Sequence, residues 1–346
     1  MSEVETRFSV QSGMGLITLN RPKVLNALSW PQYLALTQCL TDWESDDRVR
    51  VVVLEGEGER AFCAGGDIRM VWDARQRGDH ALNRDIFRTE YRLNRRIHHY
   101  PKPIVSLLDG IVMGGGAGLS INGCWRVATE RTQFAMPETG IGFFPDVGAT
   151  YFLGRLPGSL GLYLGLTGTR LGPGDCLHAG IATHFIAADQ LDSVKTALMT
   201  GESVTDVLDR FQQPQSPGEV SARQAEIDRC FGKQTLADIF AALATEGSPW
   251  ALSTLEELVR RSPTSLAVTF RQLTAGQSLS FDDAIRQEFR LACRFLDAHD
   301  FYEGIRALVV DKDKSPHWQP GRGGEVSEAV VAGYFQPLLA DELPLP

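Results

Sequence analysis

Two glycine-bearing loops, each directly behind an apolar run, hold the residues best suited to handle a carbonyl. The first is Ala61-Phe62-Cys63-Ala64-Gly65-Gly66-Asp67-Ile68-Arg69, following Val51-Val52-Val53-Leu54. The second is Met113-Gly114-Gly115-Gly116-Ala117-Gly118, following Ile104-Val105-Ser106-Leu107-Leu108. Paired loops of this kind can bring two backbone N–H groups to one point, which is what a developing oxyanion needs. A helix expected to begin at Gly115 or Gly116 adds a favourable dipole and free N–H groups. Carboxylates follow in Pro137-Glu138-Thr139-Gly140-Ile141-Gly142-Phe143-Phe144-Pro145-Asp146. Surroundings of Pro, Gly, Ile and Phe raise a carboxylate's pKa toward the range of general acid–base work, and neighbouring carboxylates push each other's values apart. The chemistry indicated is at the carbonyl of an acyl compound.

Each feature also has a plainer reading. Glycines serve tight turns and helix C-caps, loop carboxylates are commonly solvated or cap helices, and Phe143 and Phe144 read as core or pocket wall. Other chemistries find less support. Gly114-x-Gly116 does not extend to the dinucleotide fingerprint, because Leu119 stands at its last glycine position. Ser120 lacks the G-x-S-x-G elbow of serine hydrolases. The seven histidines show no metal-ligand spacing, with His98-His99 at the expected end of a helix. Cys63 has no positioned base and reads as a small buried residue. Neither a Walker motif nor a zinc signature is present.

These loops need a scaffold, and 346 residues, 43% of them hydrophobic, suffice for one large domain with an appendage or for two domains. A net charge of −9 argues against nucleic acid as a partner, though a few local cations can still hold a phosphorylated small molecule. Six scattered cysteines without a C-x-x-C pair suggest a reduced, cytoplasmic protein. The opening Met1-Ser2-Glu3-Val4-Glu5 reads as neither a secretory leader nor a mitochondrial transit peptide, being acidic and lacking an apolar core. No apolar run approaches the ~20 residues that span a bilayer.

Phe8 to Leu19 reads as a hairpin turning at Ser12-Gly13. Ser29 is the expected N-cap of a helix with Pro31 in its first turn and Tyr33, Leu36, Leu40 and Trp43 on one face. Val51 to Leu54 and Ile104 to Leu108 are too uniformly apolar for half-exposed strands and predict strands covered on both faces. Residues 67–98 predict helices, and Arg126-Val127-Ala128-Thr129 a short strand. Alternation of strand and helix gives an α/β core over residues 1–186. A helical region over 187–346 follows: polar helices to 260 with a break at Gln213-Pro214-Gln215-Ser216-Pro217-Gly218, then more helices over 262–310. The new helix starts at Ser262-Pro263-Thr264. The tail from Ser315 is rich in Pro and Gly.

The chain resembles the crotonase (enoyl-CoA hydratase/isomerase) superfamily. Carrying the match are Ile17-Thr18-Leu19-Asn20-Arg21-Pro22-Lys23-Val24-Leu25-Asn26-Ala27-Leu28, both glycine loops and Phe134 to Asp146. Within the superfamily it is most similar to a branch of acyl-CoA thioester hydrolases. Phe144-Pro145-Asp146-Val147-Gly148, Ala179-Gly180-Ile181-Ala182-Thr183-His184 and Ser262-Pro263-Thr264-Ser265-Leu266 carry this narrower likeness. So do Asp300-Phe301-Tyr302-Glu303-Gly304 and Asp311-Lys312-Asp313-Lys314-Ser315-Pro316. The fold implied is the crotonase-like spiral of ββα repeats with a C-terminal helical region.

The activity implied is hydrolysis of 3-hydroxyisobutyryl-CoA to 3-hydroxyisobutyrate and CoA, in valine catabolism. The resemblance places the oxyanion hole at the N–H groups of Gly66 and Gly115. It makes Glu138 and Asp146 the catalytic carboxylates and Glu90, in Arg88-Thr89-Glu90-Tyr91, a further substrate contact. Lys23, Val24 and Leu25 match positions along the CoA path, Ala64 and Ile68 positions near the adenine, and Lys312 or Lys314 a looser phosphate match. CoA belongs to the substrate, and no metal or redox cofactor is implied. The expected partner is a small acyl-CoA, without nucleic acid or membrane, and a homo-oligomer is left open.

One position departs from the hydratase pattern. Hydratases place a first glutamate where this chain has Gly118, so ordinary hydration of an enoyl-CoA is disfavoured. The alternatives are an enoyl- or dienoyl-CoA isomerase or hydratase of the same superfamily, and a non-catalytic CoA-thioester sensor.

Overall fold

The structure, a computed structural model, describes residues 4–345; residues 1–3, most of the opening read above for a leader, lie outside them. The chain forms two compact units interleaved along the sequence. The first contains Met1–Asp67, Arg92–Ala135 and Arg170–Ala222, the second Ile68–Tyr91, Met136–Thr169 and Arg223–Pro346. This division does not follow the single boundary at 186/187 expected from composition.

In the first unit, β1 (Thr6–Gln11) and β2 (Met14–Leu19) form the expected hairpin, in register from Thr6 opposite Leu19 to Gln11 opposite Met14. Its turn residues Ser12 and Gly13 both have positive φ, +46° and +89°, the combination whose twist suits a two-residue hairpin. β3 (Val51–Gly56) lies parallel between β2 and β5 (Ile104–Leu108), which explains its unbroken apolar run. β7 (Trp125–Ala128) and β9 (His184–Phe185) complete the order β1-β2-β3-β5-β7-β9.

A second, parallel sheet of β4 (Ala61–Cys63), β6 (Ile111–Met113) and β8 (Gln133–Ala135) is not hydrogen-bonded to the first. Sequence reading did not foresee it. Strands of three residues are too short to show a period, and here the glycine loops begin.

Val51, Val53, Val105, Leu107 and Val127 point to one face of the six-stranded sheet. The helices Leu191–Met199 and Val204–Phe211 cover that face with Val194, Leu198, Val207 and Leu208. Helix α1 (Trp30–Glu44) starts at Ser29 in a full capping box with Gln32, and Tyr33, Leu36, Leu40 and Trp43 are buried as their spacing predicts.

In the second unit, α2 (Ile68–Gln76) and the first part of α3 (His80–His98) join a helical array. Its members include Leu160–Thr167, Pro249–Arg260, Pro263–Ala275 and Phe281–Asp297. Phe143 stacks on Phe301 at 4.4 Å between ring centres, and Phe144 on Phe295 at 5.4 Å, so both phenylalanines are core. A further helix, Glu328–Tyr334, interrupts the tail behind an N-capping Ser327.

Ser262 caps Pro263–Ala275 by accepting from the Ser265 N–H at 3.1 Å, and its hydroxyl donates to the buried Asp300 carboxylate. Asp300 also accepts from the Gln319 N–H at 2.8 Å. Ser262→Ala loses about 1 kcal/mol for the cap and about 1–3 kcal/mol more for the buried Asp300 Oδ2, which loses the hydroxyl it accepts from while Oδ1 keeps the Gln319 N–H. Urea unfolding will show this as a lower midpoint at unchanged m.

Candidate active site

The two glycine loops meet within the first unit. Leu28 pairs with the first loop as an isolated parallel bridge: its N–H donates to Gly65 O at 2.8 Å, and Asp67 N–H donates to Leu28 O at 2.9 Å. Because the flanking residues make these bonds, the Gly66 N–H faces the other way. α4 (Gly115–Ser120) begins directly after Gly114, whose φ of +47° and ψ of −122° suit glycine alone. Gly115 N–H is therefore one of the first-turn donors that a helix leaves without a partner. Among the described residues, neither Gly66 N–H nor Gly115 N–H has an acceptor within the protein. A Cβ built on Gly65, at φ +110°, would lie 3.5 Å from Gly115 N, so the donor-bearing segments are in close approach.

The expected CoA-path residues lie in the same unit, apart from Ile68, which opens α2 in the second. Lys23 and Val24 are exposed on a single 3₁₀ turn, Pro22–Val24. Leu25 and Asn26 follow at φ +57° and +55°. The buried Asn26 amide holds this bend by donating to Ala61 O at 2.8 Å and accepting from Arg21 N–H at 2.9 Å. Ala64 N–H donates to Leu25 O at 3.0 Å, which joins the bend to the first glycine loop. Lys312 and Lys314 are exposed, both at positive φ in the C-terminal segment.

The carboxylates gather in the second unit. Glu138 opens a 3₁₀ turn, Glu138–Ile141, pinned by the Thr139 hydroxyl donating to Leu166 O at 3.0 Å. Glu138 is only 6% exposed and its Oε2 finds no hydrogen-bond partner. Burial first, then the Asp146 charge, pushes its pKa well above the ordinary carboxylate range; the Arg261 guanidinium pulls the other way. Asp146 accepts from the Tyr91 hydroxyl at 2.8 Å. Burial raises its pKa to about 7, against that hydrogen bond and one from its own backbone. Glu90, buried on α3, adds its charge to the field at both Glu138 and Tyr91. The three carboxylates named from sequence thus lie within one electrostatic group.

Three members of that group went unnoticed in the sequence. Tyr91 reads as one more core aromatic. Arg261 follows a helix end, where a cation is ordinary; it pairs with Glu257 at 2.6 Å and its Nε has no acceptor. Glu288 left a signal that could have been caught: it interrupts the apolar stripe Ala284, Ile285, Leu291, Ala292, Phe295 of Phe281–Asp297. It is fully buried, and burial raises its pKa to about 8.

Carboxyls at Asp146 and Glu288 that titrate near 7 and 8, with Glu138 also raised, hold protons in the folded state that an unfolded chain has released. Their contribution to stability is full below about pH 4 and is lost progressively up to about pH 8. The melting temperature will accordingly fall between about pH 5 and pH 8. A flat or rising profile over that interval would contradict the assignment.

The enoyl-CoA hydratase/isomerase family model matches residues 14–335. The chain belongs to that family. One relative is the mitochondrial 3-hydroxyisobutyryl-CoA hydrolase of Gallus gallus, 44% identical over 99% of this chain and 92% of its own length. Two solved family structures superpose almost end to end. A carnitinyl-CoA dehydratase from Mycobacterium thermoresistibile has a TM-score of 0.93 at 41% identity and covers 98% of both chains. An enoyl-CoA hydratase from Rhodobacter sphaeroides has a TM-score of 0.94 at 40% identity, covering 99% of this chain and all of its own. Such coverage includes the helical segment after residue 187, and the crotonase fold is thereby established. The cytoplasmic expectation does not stand, because the matching 3-hydroxyisobutyryl-CoA hydrolases of Gallus gallus, Danio rerio and Rattus norvegicus are named as mitochondrial. Among the described residues, no helix is long and apolar enough to cross a membrane.

Proposed function

We propose that this chain hydrolyses 3-hydroxyisobutyryl-CoA to 3-hydroxyisobutyrate and CoA, a step of valine breakdown. The observation that carries the reading is the distribution of carboxylates. Glu138 and Asp146 are buried in one group, whereas α4 is Gly-Gly-Ala-Gly-Leu-Ser and offers none. A hydratase of this family divides the handling of water between two glutamates, and the chain lacks the one that Gly118 replaces. Relatives named as 3-hydroxyisobutyryl-CoA hydrolases, matched over nearly all of this chain and about nine-tenths of their own length, support the same conclusion.

In this reading the N–H groups of Gly66 and Gly115 hold the thioester oxygen as it becomes an oxyanion. Glu138, through its unpartnered oxygen, takes a proton from the attacking water or attacks the carbonyl itself to give a mixed anhydride that water then opens. Either route yields the free acid and CoA. Asp146 orients the substrate hydroxyl or the water, and a carboxyl titrating near 7 is suited to returning a proton to the departing thiolate. Lys23, Val24, Leu25, Ala64 and Ile68 line the CoA path, and Glu90 contacts the acyl group.

The second reading, an enoyl-CoA isomerase or hydratase, draws support from the names of the two solved structures and from the eight-residue spacing of Glu138 and Asp146. The side chain missing at Gly118 weighs against it. A panel of 3-hydroxyisobutyryl-CoA, 3-hydroxypropionyl-CoA and isobutyryl-CoA separates the elements of the proposal. Thiol release is expected from the two hydroxylated thioesters, with a much lower kcat/KM for isobutyryl-CoA. Release from none of them would overturn the proposal.

A further inference from the structure

The segment that carries Asp146 turns through an unfavourable conformation. Val147, a buried β-branched residue, sits at φ +55°, followed by Gly148 at φ +98°. Such an angle is a genuine outlier for valine and persists only where surrounding bonds over-determine it. Within the turn, Ala149 N–H donates to Asp146 O at 2.9 Å. From outside it, Glu288 accepts from Gly148 N–H at 2.7 Å on Oε2 and from Thr150 N–H at 2.8 Å on Oε1. The Gln272 amide adds a second tether, donating to Pro145 O at 2.7 Å and to Thr150 Oγ1 at 2.8 Å. Three backbone positions, at Pro145, Gly148 and Thr150, and the Thr150 hydroxyl are thus held by two buried polar side chains from different helices.

A carboxyl on the apolar stripe of a core helix is an expensive way to pack a helix. Neither Glu288 nor Gln272 is needed to fill volume, since Leu or Met would do so without the burial cost. What the pair supplies is a fixed direction for the residue just before the turn, whose other support is the Tyr91 hydroxyl.

We propose that Glu288 is a positioning residue for the thioester reaction: by accepting the Gly148 and Thr150 N–H groups it locks the Val147 turn and so aims the Asp146 carboxylate. The inference rests on the assignment of Asp146 to the reaction. The titratable groups that face Glu288 are Asp146 and Tyr91. Displacing a catalytic group by about 1 Å through a change elsewhere can cost about 10²-fold in rate.

The test is a double-mutant cycle on 3-hydroxyisobutyryl-CoA hydrolysis. Glu288→Gln keeps the volume but turns an amide donor toward one of the two N–H groups. Its kcat is expected to fall by about 10- to 10²-fold with KM within about twofold. In the Asp146→Asn background the same substitution should cost less than about twofold, because it acts only through Asp146. Gln272→Met is expected to lower kcat in the same direction, and it supplies the cycle should Glu288→Gln fail to fold. If Asp146→Asn lowers turnover and the second substitution costs as much as in the wild type, the positioning role is wrong while the proposed function stands. An unchanged rate for Asp146→Asn itself would instead remove Asp146 from the reaction.

Discussion

Glu138→Gln lowers thiol release from 3-hydroxyisobutyryl-CoA by about 10²–10⁴-fold, the range for losing a general base, or by more if Glu138 is the nucleophile. The substitution is nearly isosteric, so the loss is chemical. Oε2 has no partner to forfeit, and removing an ionisable group from a buried site leaves the fold intact or steadier. KM should change little, because the proposed CoA path runs through other residues. The same carboxylate sets the pH dependence. It must be ionised to act, and burial and Asp146 hold its pKa well above the usual range. The acidic limb of kcat/KM therefore lies well above the ~4.3 of an ordinary glutamate, and activity rises with pH through it. A variant with near wild-type turnover would remove Glu138 from the mechanism.

Gly65→Ala is expected to cost about 10²–10³-fold in kcat, the worth of one oxyanion donor, although it touches no catalytic side chain. At φ +110° an alanine is strained, at a cost of about 1–3 kcal/mol. Its Cβ would press on Met113 O at 3.2 Å and stand 3.5 Å from Gly115 N. Relief moves the backbone that carries both N–H groups, and no substitution other than proline deletes a backbone donor outright. Steady-state kinetics beside a melting curve separate the two effects. A variant a few degrees less stable but kinetically unchanged would show that the loops serve packing alone.

The elements that could be read from sequence were those with enough residues to show a pattern. β3 and β5 were legible from uniform apolarity, and α1 from Ser29, Pro31 and its buried face. The Ser262-Pro263 start was legible from its own chemistry. The three-residue strands β4, β6 and β8 were not, because their sheet is defined by pairing between distant segments. Glu328–Tyr334 was hidden by the glycines and prolines around it, although Ser327 marked its start. Within the site, Glu138 and Asp146 were visible as carboxylates in apolar company. Their supports were not: Tyr91 looks like any core aromatic, and Arg261 like any helix-end cation. Only Glu288 broke its own helix's pattern.

The most direct test of the central claim is to follow free thiol and enoyl absorbance together, in parallel reactions with 3-hydroxyisobutyryl-CoA and crotonyl-CoA. Thiol release from the first, with the crotonyl double bond untouched, is the predicted result. A change in enoyl absorbance without thiol release from either substrate would contradict it. The chain would then be a hydratase or isomerase that works without a carboxylate at Gly118.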